Sequence, residues 1–342
     1  MSQQRKSVRV VIVNWRTPLL TERAARSLWP QLRAGDELVV VDNASASADP
    51  HDNSLDHLRR LGAKLGSAGP ARFGLVQARR NGGFGYGVNL GARNLRQDAL
   101  VLLNSDAYAL EGFVEALTAP LGHDLVEATT ARLLLEGRWR LVGDGVEAQT
   151  EPAATTQSTG SAQLRGLDGG IWVSDPSGVE LINSTGNVVD ACGNGYDRSW
   201  LAPAKQEHDS PEVFGICGGA CAISARAWRQ LGGMRQDLFM YYEDTDFSYR
   251  LRRSGYSVEY VRQAQARHAH AASSDSASEA FTTWNTRNRL RVATRYAPAS
   301  VAARALVNTG GRMLLGPQRQ ARAQGLVQAL AHAPQDLYAR IG

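Results

Sequence analysis

Cysteine is scarce in this chain of 342 residues: only Cys192, Cys217 and Cys221 occur. An odd number cannot pair completely within one chain, which excludes a full disulfide framework and fits a reducing compartment, so the cytoplasm is expected. Cys217 and Cys221 sit in GICGGACAIS, with no second Cys pair and no histidine at zinc-finger spacing, and read as packing residues. Long apolar runs are missing as well. Nothing approaches the roughly 20 residues of a spanning helix, and the short apolar stretch ending in Asn14 has no small-residue cleavage site, which argues against a signal peptide. Any membrane contact is then expected to be peripheral. The first strand-to-helix turn, NWRTPLL, has no glycine, no strict G-x-G-x-x-G occurs near it, and a P-loop Lys-Ser/Thr ending is absent. Nicotinamide, flavin and P-loop enzymes are thereby disfavoured.

Charge is present but unevenly placed. The formal net charge is +5 at pH 7, yet residues 269–342 hold Arg287, Arg289, Arg291, Arg295, Arg304, Arg312, Arg319, Arg322 and Arg340 against Asp275, Glu279 and Asp336. A basic tail on a near-neutral body points to a local anionic partner, such as a membrane surface met through residues 300–340; a helical face solvated by arginines accounts for the same pattern. The arginines lack an interleaved aromatic platform, so no nucleic acid is expected.

Apolar periodicity supplies the elements. Val8–Trp15 and ELVVVD (37–42) are near-continuous apolar runs, as in parallel strands covered on both faces, and Leu19–Leu32 between them has helical spacing. Arg72–Arg79 and Ala99–Leu103 read as further strands, with Gly85–Leu95 a helix. This alternation predicts an α/β fold with an open, mostly parallel sheet and helices on both faces. Residues 135–184 turn Gly-, Thr- and Ser-rich and read as an inserted loop or small-strand region. Helices are then predicted at Ala225–Leu231 and Asp244–Arg253, and a strand at Ser257–Val261. After His270 the chain reads as a helical, basic extension over 271–342, interrupted at Pro298, Gly310-Gly311, Pro317 and Pro334, with the first of its helices broken at the glycine pair. Residues 1–270 form the expected catalytic domain.

Ligands of open α/β sheets bind beyond the carboxyl ends of the strands, and Asn14, Asp42, Asn43, Asn81, Asn104 and Asp106 all fall there. The run NGGFGYGVNLG (81–91), with Gly82 at its head, suits either a phosphate cradle or a tight turn. Asp42 could accept from a ribose or base, or cap its own loop. Asp106 alone is a poor cation site and needs a diphosphate and another ligand. In FMYYEDTDFSYRLRRSGY, Glu243, Asp244 and Asp246 open a helix, where its dipole favours negative charge. The adjacent Phe239, Met240, Tyr241 and Tyr242 are more apolar than a solvated cap requires, so a carboxylate there could be desolvated into a general base. His268 and His270 follow a strand and could share one face.

The ordered set VVIVNW, VVVDNAS, NGGFGYGVNLG, LLNSDA, ICGGACAISARAW, LGGM and FMYYEDTDFSYRLRRSGY followed by ARHAH resembles the family-two glycosyltransferases of GT-A fold, most of all their bacterial rhamnosyltransferase-like branch, over roughly residues 7–296. The resemblance implies inverting transfer from a nucleoside-diphosphate sugar to a hydroxyl of a glycan or polyprenyl-linked acceptor, with dTDP-rhamnose the first donor to consider and a UDP-sugar such as UDP-galactofuranose the second. It implies that Asp42 contacts the nucleotide base, with Asn14, Asn43, Asn81 and Gly82 beside the nucleoside. It implies further that Asp106 and His268 hold a divalent cation, Mg2+ or Mn2+, and that Asp244 is the catalytic base. Asn104 stands where the family's D-x-D has its first Asp. Cell-envelope polysaccharide synthesis at the inner face of the plasma membrane, and a homodimer, are the expected setting. Two rivals are a sugar nucleotidyltransferase, which needs a Gly- and Lys/Arg-rich loop where NWRTPLL stands, and a non-catalytic nucleotide- or lipid-binding scaffold, for which Asp106, Asp244 and His268 would be superfluous.

Overall fold

The computed structural model describes residues 5–143, 163–166, 169–269 and 278–341. His270 and parts of the expected insertion, 144–162 and 167–168, lie outside the described residues. Fifteen strands occur among those described: β1 Val8–Asn14, β2 Glu37–Asp42, β3 Arg72–Gln77, β4 Ala99–Leu103, β5 Ala107–Ala109, β6 Val126–Leu135, β7 Trp139–Gly143, β8 Gln163–Arg165, β9 Ile171–Ser174, β10 Ile182–Ser184, β11 Asn187–Val189, β12 Gly195–Asp197, β13 Glu212–Val213, β14 Ala220–Ser224 and β15 Ser257–His268. The helices are α1 Pro18–Leu28, α2 Ser54–Gly66, α3 Phe84–Gly91, α4 Phe113–Thr118, α5 Ala225–Leu231, α6 Glu243–Arg253, α7 Glu279–Tyr296, α8 Ala299–Leu315 and α9 Arg319–Ile341.

The main sheet runs β13-β15-β6-β14-β4-β1-β2-β3. Pairs β4/β1, β1/β2, β2/β3 and β6/β15 are parallel, whereas β14 is antiparallel to both β4 and β6. Alternation along β1 explains its near-continuous apolar run. Val8, Val10 and Ile12 join a core with α1, α2 and α4, while Val11 joins a second core with α3, α5 and α6. Both faces are covered, so from Val8 to Val13 both sets of side chains are apolar apart from Arg9, which is paired with Glu37.

Helix α2 was not anticipated, and two expectations change. Helix α2 follows the polar stretch NASASADPHDNS, whose residues hide it; its core face is the triplet Leu58, Leu61 and Leu65 at helical spacing. Strand β15 continues beyond Val261 to His268, because its far half pairs with β6 and with β5. Gly310-Gly311 does not break α8, and Pro334 lies inside α9. A helical glycine costs about 1 kcal/mol against alanine, which packing of Ala305 and Thr309, both buried, offsets.

The tail's arginines mostly point inward. Arg289, 1% exposed, donates to Thr309; Arg291 pairs with Asp336 and Asp237; Arg295 pairs with Asp336; Arg340 donates to the Thr294 carbonyl. The outward faces are apolar instead, with Val307, Leu314 and Leu315 on α8 and Val327, Leu330 and Tyr338 on α9 all exposed.

Candidate active site

A cleft of about 360 Å3 opens at the carboxyl ends of β1 and β4 and reaches α6, β12 and α7. Asn43, Asn81, Asn104, Asp106, Asp244 and His268 line it. Asn14, Asp42 and Gly82 do not. Asn14 and Asp42 stand opposite each other in the β1/β2 register and turn inward: Asn14 Nδ2 donates to Asp42 Oδ1 at 2.9 Å, Ser45 Oγ donates to the same oxygen at 2.5 Å, and Thr21 Oγ1 donates to Asn14 Oδ1 at 2.8 Å. Asp42, 2% exposed, is thus a joint beneath the cleft floor. Asn43 carries that joint to the rim, donating to Asn81 Oδ1 at 3.0 Å and to the Gly83 carbonyl at 3.2 Å.

The glycine run allows close packing. A Cβ at Gly83, whose φ is +83°, would lie 1.7 Å from the Phe239 carbonyl oxygen, and one at Gly87 would lie 2.6 Å from Val13. These positions let α3 lie against β1 and against the segment before α6, and the Phe84 N–H donates to that same Phe239 carbonyl at 2.9 Å.

Pairing of β5 with β15 places Ala107 opposite His268, and so brings Asp106 to the histidine. His268 Nε2 lies 2.8 Å from Asp106 Oδ1 and 3.5 Å from Asn104 Nδ2, while its Nδ1 lies 2.6 Å from Asn183 Oδ1. Asn183 as acceptor puts the ring hydrogen on Nδ1 and turns Nε2 toward Asp106. Burial opposes charge on His268, but Asp106 outweighs it and raises the pKa. One carboxylate oxygen and one imidazole nitrogen facing each other, the ring oriented by an outer amide, suit Mg2+ or Mn2+ completed by phosphate oxygens. Among the described residues, no group of three or more His, Cys, Asp or Glu side chains could hold a metal ion, so bound substrate would have to supply the other ligands.

Asp244 opens α6. Its Oδ2 accepts from the Gly218 N–H at 3.1 Å and its Oδ1 from the Thr245 N–H at 2.6 Å. Burial raises its pKa despite these bonds. Asp246, fully buried, is held by Arg250 at 2.8 Å and Arg235 at 3.3 Å and serves as a strut. Cys217 also lines the cleft, and burial lifts its thiol pKa well above the ordinary value, which disfavours the thiolate.

Glu243 is 7% exposed and its Oε2 has no hydrogen-bond partner. Burial, then Asp244 and Asp246, push its carboxyl from 4.5 up to about 8. The folded state therefore holds a proton that the unfolded state has lost across that window, and stability falls as pH rises through it. Glu243→Gln keeps the shape without the charge. Its melting temperature relative to wild type is expected to climb from about pH 5 to about pH 8; a difference that stays constant with pH would contradict the assignment.

Sequence reasoning missed several lining residues. Asn183 and Asp197 come from β10 and β12, and Phe281 and Asn285 from α7. Burial, opposed by a Ser184 hydrogen bond and reinforced by Asp244, lifts Asp197 to about 6. No periodicity marks these short strands, and nothing local to α7 says that it borders the cleft.

Among solved structures, the mannosyltransferase PcManGT of Pyrobaculum calidifontis, in complex with GDP-Man and Mn2+, aligns over 96% of this chain and 76% of its own, with TM-score 0.53 and 15% identity. GalNAc-T7 with UDP, GalNAc and Mn2+ aligns over 99% and 58%, at TM-score 0.58 and 14% identity. TarS of S. aureus aligns over 97% and 81%, at 0.51 and 14%. The chain has the GT-A glycosyltransferase fold. The Asp106–His268 pair thus lies within a GT-A framework, at the carboxyl end of β4. No family model matches the chain. A partial relative is the N-acetylglucosaminyl-diphospho-decaprenol L-rhamnosyltransferase of Mycobacterium tuberculosis, 32% identical over 121 residues. That match spans 34% of this GT-A chain and 39% of the relative's length.

Proposed function

We propose that the chain is an inverting glycosyltransferase, moving a sugar from a nucleoside-diphosphate donor to a hydroxyl of a glycan or lipid-linked acceptor. The observation that carries this reading is the meeting of the Asp106–His268 pair and Asp244 in one cleft of a GT-A fold. Displacing a nucleoside diphosphate from an anomeric carbon needs charge neutralised on the leaving group and a base at the attacking hydroxyl. Asp244 is that base. Its raised pKa makes it a better proton acceptor than an ordinary aspartate, and the Gly218 and Thr245 N–H groups hold its two oxygens in place. As the acceptor oxygen bonds to the anomeric carbon, the hydroxyl proton passes to Asp244 and the bond to the diphosphate oxygen breaks. A divalent cation held by Asp106 and His268 would supply Lewis-acid neutralisation of the departing diphosphate. Asn43 and Asn81 line the nucleoside end, over the Asn14–Asp42 joint, and no covalent nucleophile is required.

The rhamnosyltransferase named above supports rhamnose as the sugar and a polyprenyl diphosphate sugar as the acceptor; a dTDP carrier rests on the family resemblance, and a UDP-sugar is the second choice. The Mn2+ complexes of two structural neighbours support a cation. No helix among the described residues is long and apolar enough to cross a membrane. Contact of residues 300–340 with a membrane would rest on the exposed Val307, Leu314 and Leu315 rather than on arginine charge. A donor-hydrolysis panel in Mn2+ tests the reading: dTDP-rhamnose is expected to be cleaved faster than UDP-, GDP- and other dTDP-sugars. Cleavage of none of them, with or without an N-acetylglucosaminyl lipid diphosphate, would overturn it.

A further inference from the structure

The segment leading to Asp244 is held in a backbone conformation that its own residues disfavour. Phe239, Tyr241 and Tyr242 have φ of 66°, 68° and 69°, all in the left-handed region and none of them glycine. Bulky residues enter that region only where surrounding structure compels them. The compulsion comes from α7. Asn288, fully buried, donates from Nδ2 to the carbonyls of Leu238 at 3.0 Å, Met240 at 2.8 Å and Tyr241 at 2.9 Å. Its Oδ1 accepts from Arg287 Nε at 2.8 Å, which sets the amide so that its NH2 end faces the loop. Arg287 Nη2 donates to the Leu238 carbonyl as well, at 2.5 Å. The Phe239 ring packs on Trp284 and the Tyr241 ring on Phe281, at centroid distances of 4.9 Å and 4.8 Å.

We propose that Arg287 and Asn288 are positioning residues, which fix the 238–242 loop so that the first turn of α6 delivers Asp244 against the Gly218 N–H. The carbonyls of Leu238, Met240 and Tyr241 point toward α7, where the donor pair waits, while that of Phe239 turns the other way to the Phe84 N–H; the left-handed angles accompany this alternation. Without the donors, the loop relaxes toward ordinary angles and turns the start of α6 with it. Neither residue itself lines the cleft; they act through the loop, whose Met240 and Tyr241 do. Only the turnover part of the test rests on the glycosyltransferase reading.

The test uses the full chain carrying Asn288→Ala, Asn288→Asp or Arg287→Lys. Asn288→Asp is the discriminating variant, since it keeps the volume but replaces the NH2 donors by an oxygen facing three carbonyl oxygens. Hydrogen–deuterium exchange over residues 237–247 is expected to rise in all three, with Asn288→Asp at least as affected as Asn288→Ala and with β4 unchanged. With dTDP-rhamnose, or the donor that the hydrolysis panel selects, kcat is expected to fall about 100-fold in both Asn288 variants, the loss a small misplacement of a reacting group produces. Donor KM is expected to stay within about threefold. Arg287→Lys, the mildest change, keeps the test open where the others fail to fold. Unchanged exchange over 237–247, or rescue of exchange by Asn288→Asp, overturns the proposal; raised exchange with undiminished kcat overturns the positioning role. A wild-type protein that turns over no nucleotide sugar sinks the glycosyltransferase reading, while the exchange result still decides the clamp.

Discussion

Asp244→Asn is expected to lower kcat for sugar transfer by about a thousandfold, within the span that general-base catalysis contributes, and to leave donor binding nearly intact. The separation follows from timing. As the proposed base, Asp244 would act on the acceptor proton while the new bond forms, so its charge would be used in the transition state and not in holding the bound donor. The carboxylate sits between the Gly218 and Thr245 N–H groups; an amide keeps its volume there, accepts from only one of them, and loses its basicity. Rapid-quench turnover alongside calorimetric titration of the nucleoside diphosphate reads both quantities. Residual turnover above about a tenth of wild type would remove Asp244 from the role of base.

Asp106→Ala and His268→Ala are each expected to weaken cation-dependent binding of the nucleoside diphosphate by about 10- to 100-fold, the range seen when the shell around a metal is disturbed. The two side chains face one another at 2.8 Å, and in the proposed site each would supply one ligand atom. Chelation of the wild-type protein with EDTA is expected to cause a loss of the same order, and the variants are expected to be insensitive to it. If dTDP and UDP bind the wild-type protein equally well in Mn2+ and in EDTA, no cation is used, and side chains of the cleft must neutralise the leaving group.

The strands that carry the cleft were legible because burial on both faces leaves nothing polar to blur them. Val8–Asn14, Glu37–Asp42 and Ala99–Leu103 stand where their apolar runs placed them, and the helix at Ala225–Leu231 has the expected ends. Helix α2 was lost behind its polar entry, although Leu58, Leu61 and Leu65 already had the right spacing. Gly310-Gly311 misled because helix propensity is a local quantity, whereas α8 is held by its contact with α7. The site divides along the same line. Asp106, Asp244 and His268 stand out as polar groups at the ends of apolar elements, and those ends converge. Asn14 and Asp42 occupy equivalent ends, yet the parallel register sets them opposite each other, so they bond together instead of facing the cleft. That outcome depends on the pairing of two strands and cannot be seen in either one.

Helix α7 borders the cleft through Phe281 and Asn285, and Gly325 of α9 lies against its backbone, where a Cβ would come within 2.6 Å of the Thr283 carbonyl oxygen. A chimera that exchanged everything after residue 278 for another chain's helices would therefore import more than a tail. Foreign aromatic and amide groups would arrive at the mouth of the cleft together with a new outer apolar surface. An exchange at residue 278 would alter the cleft wall and the outer surface together, whereas one made after α7 would leave the cleft wall in place.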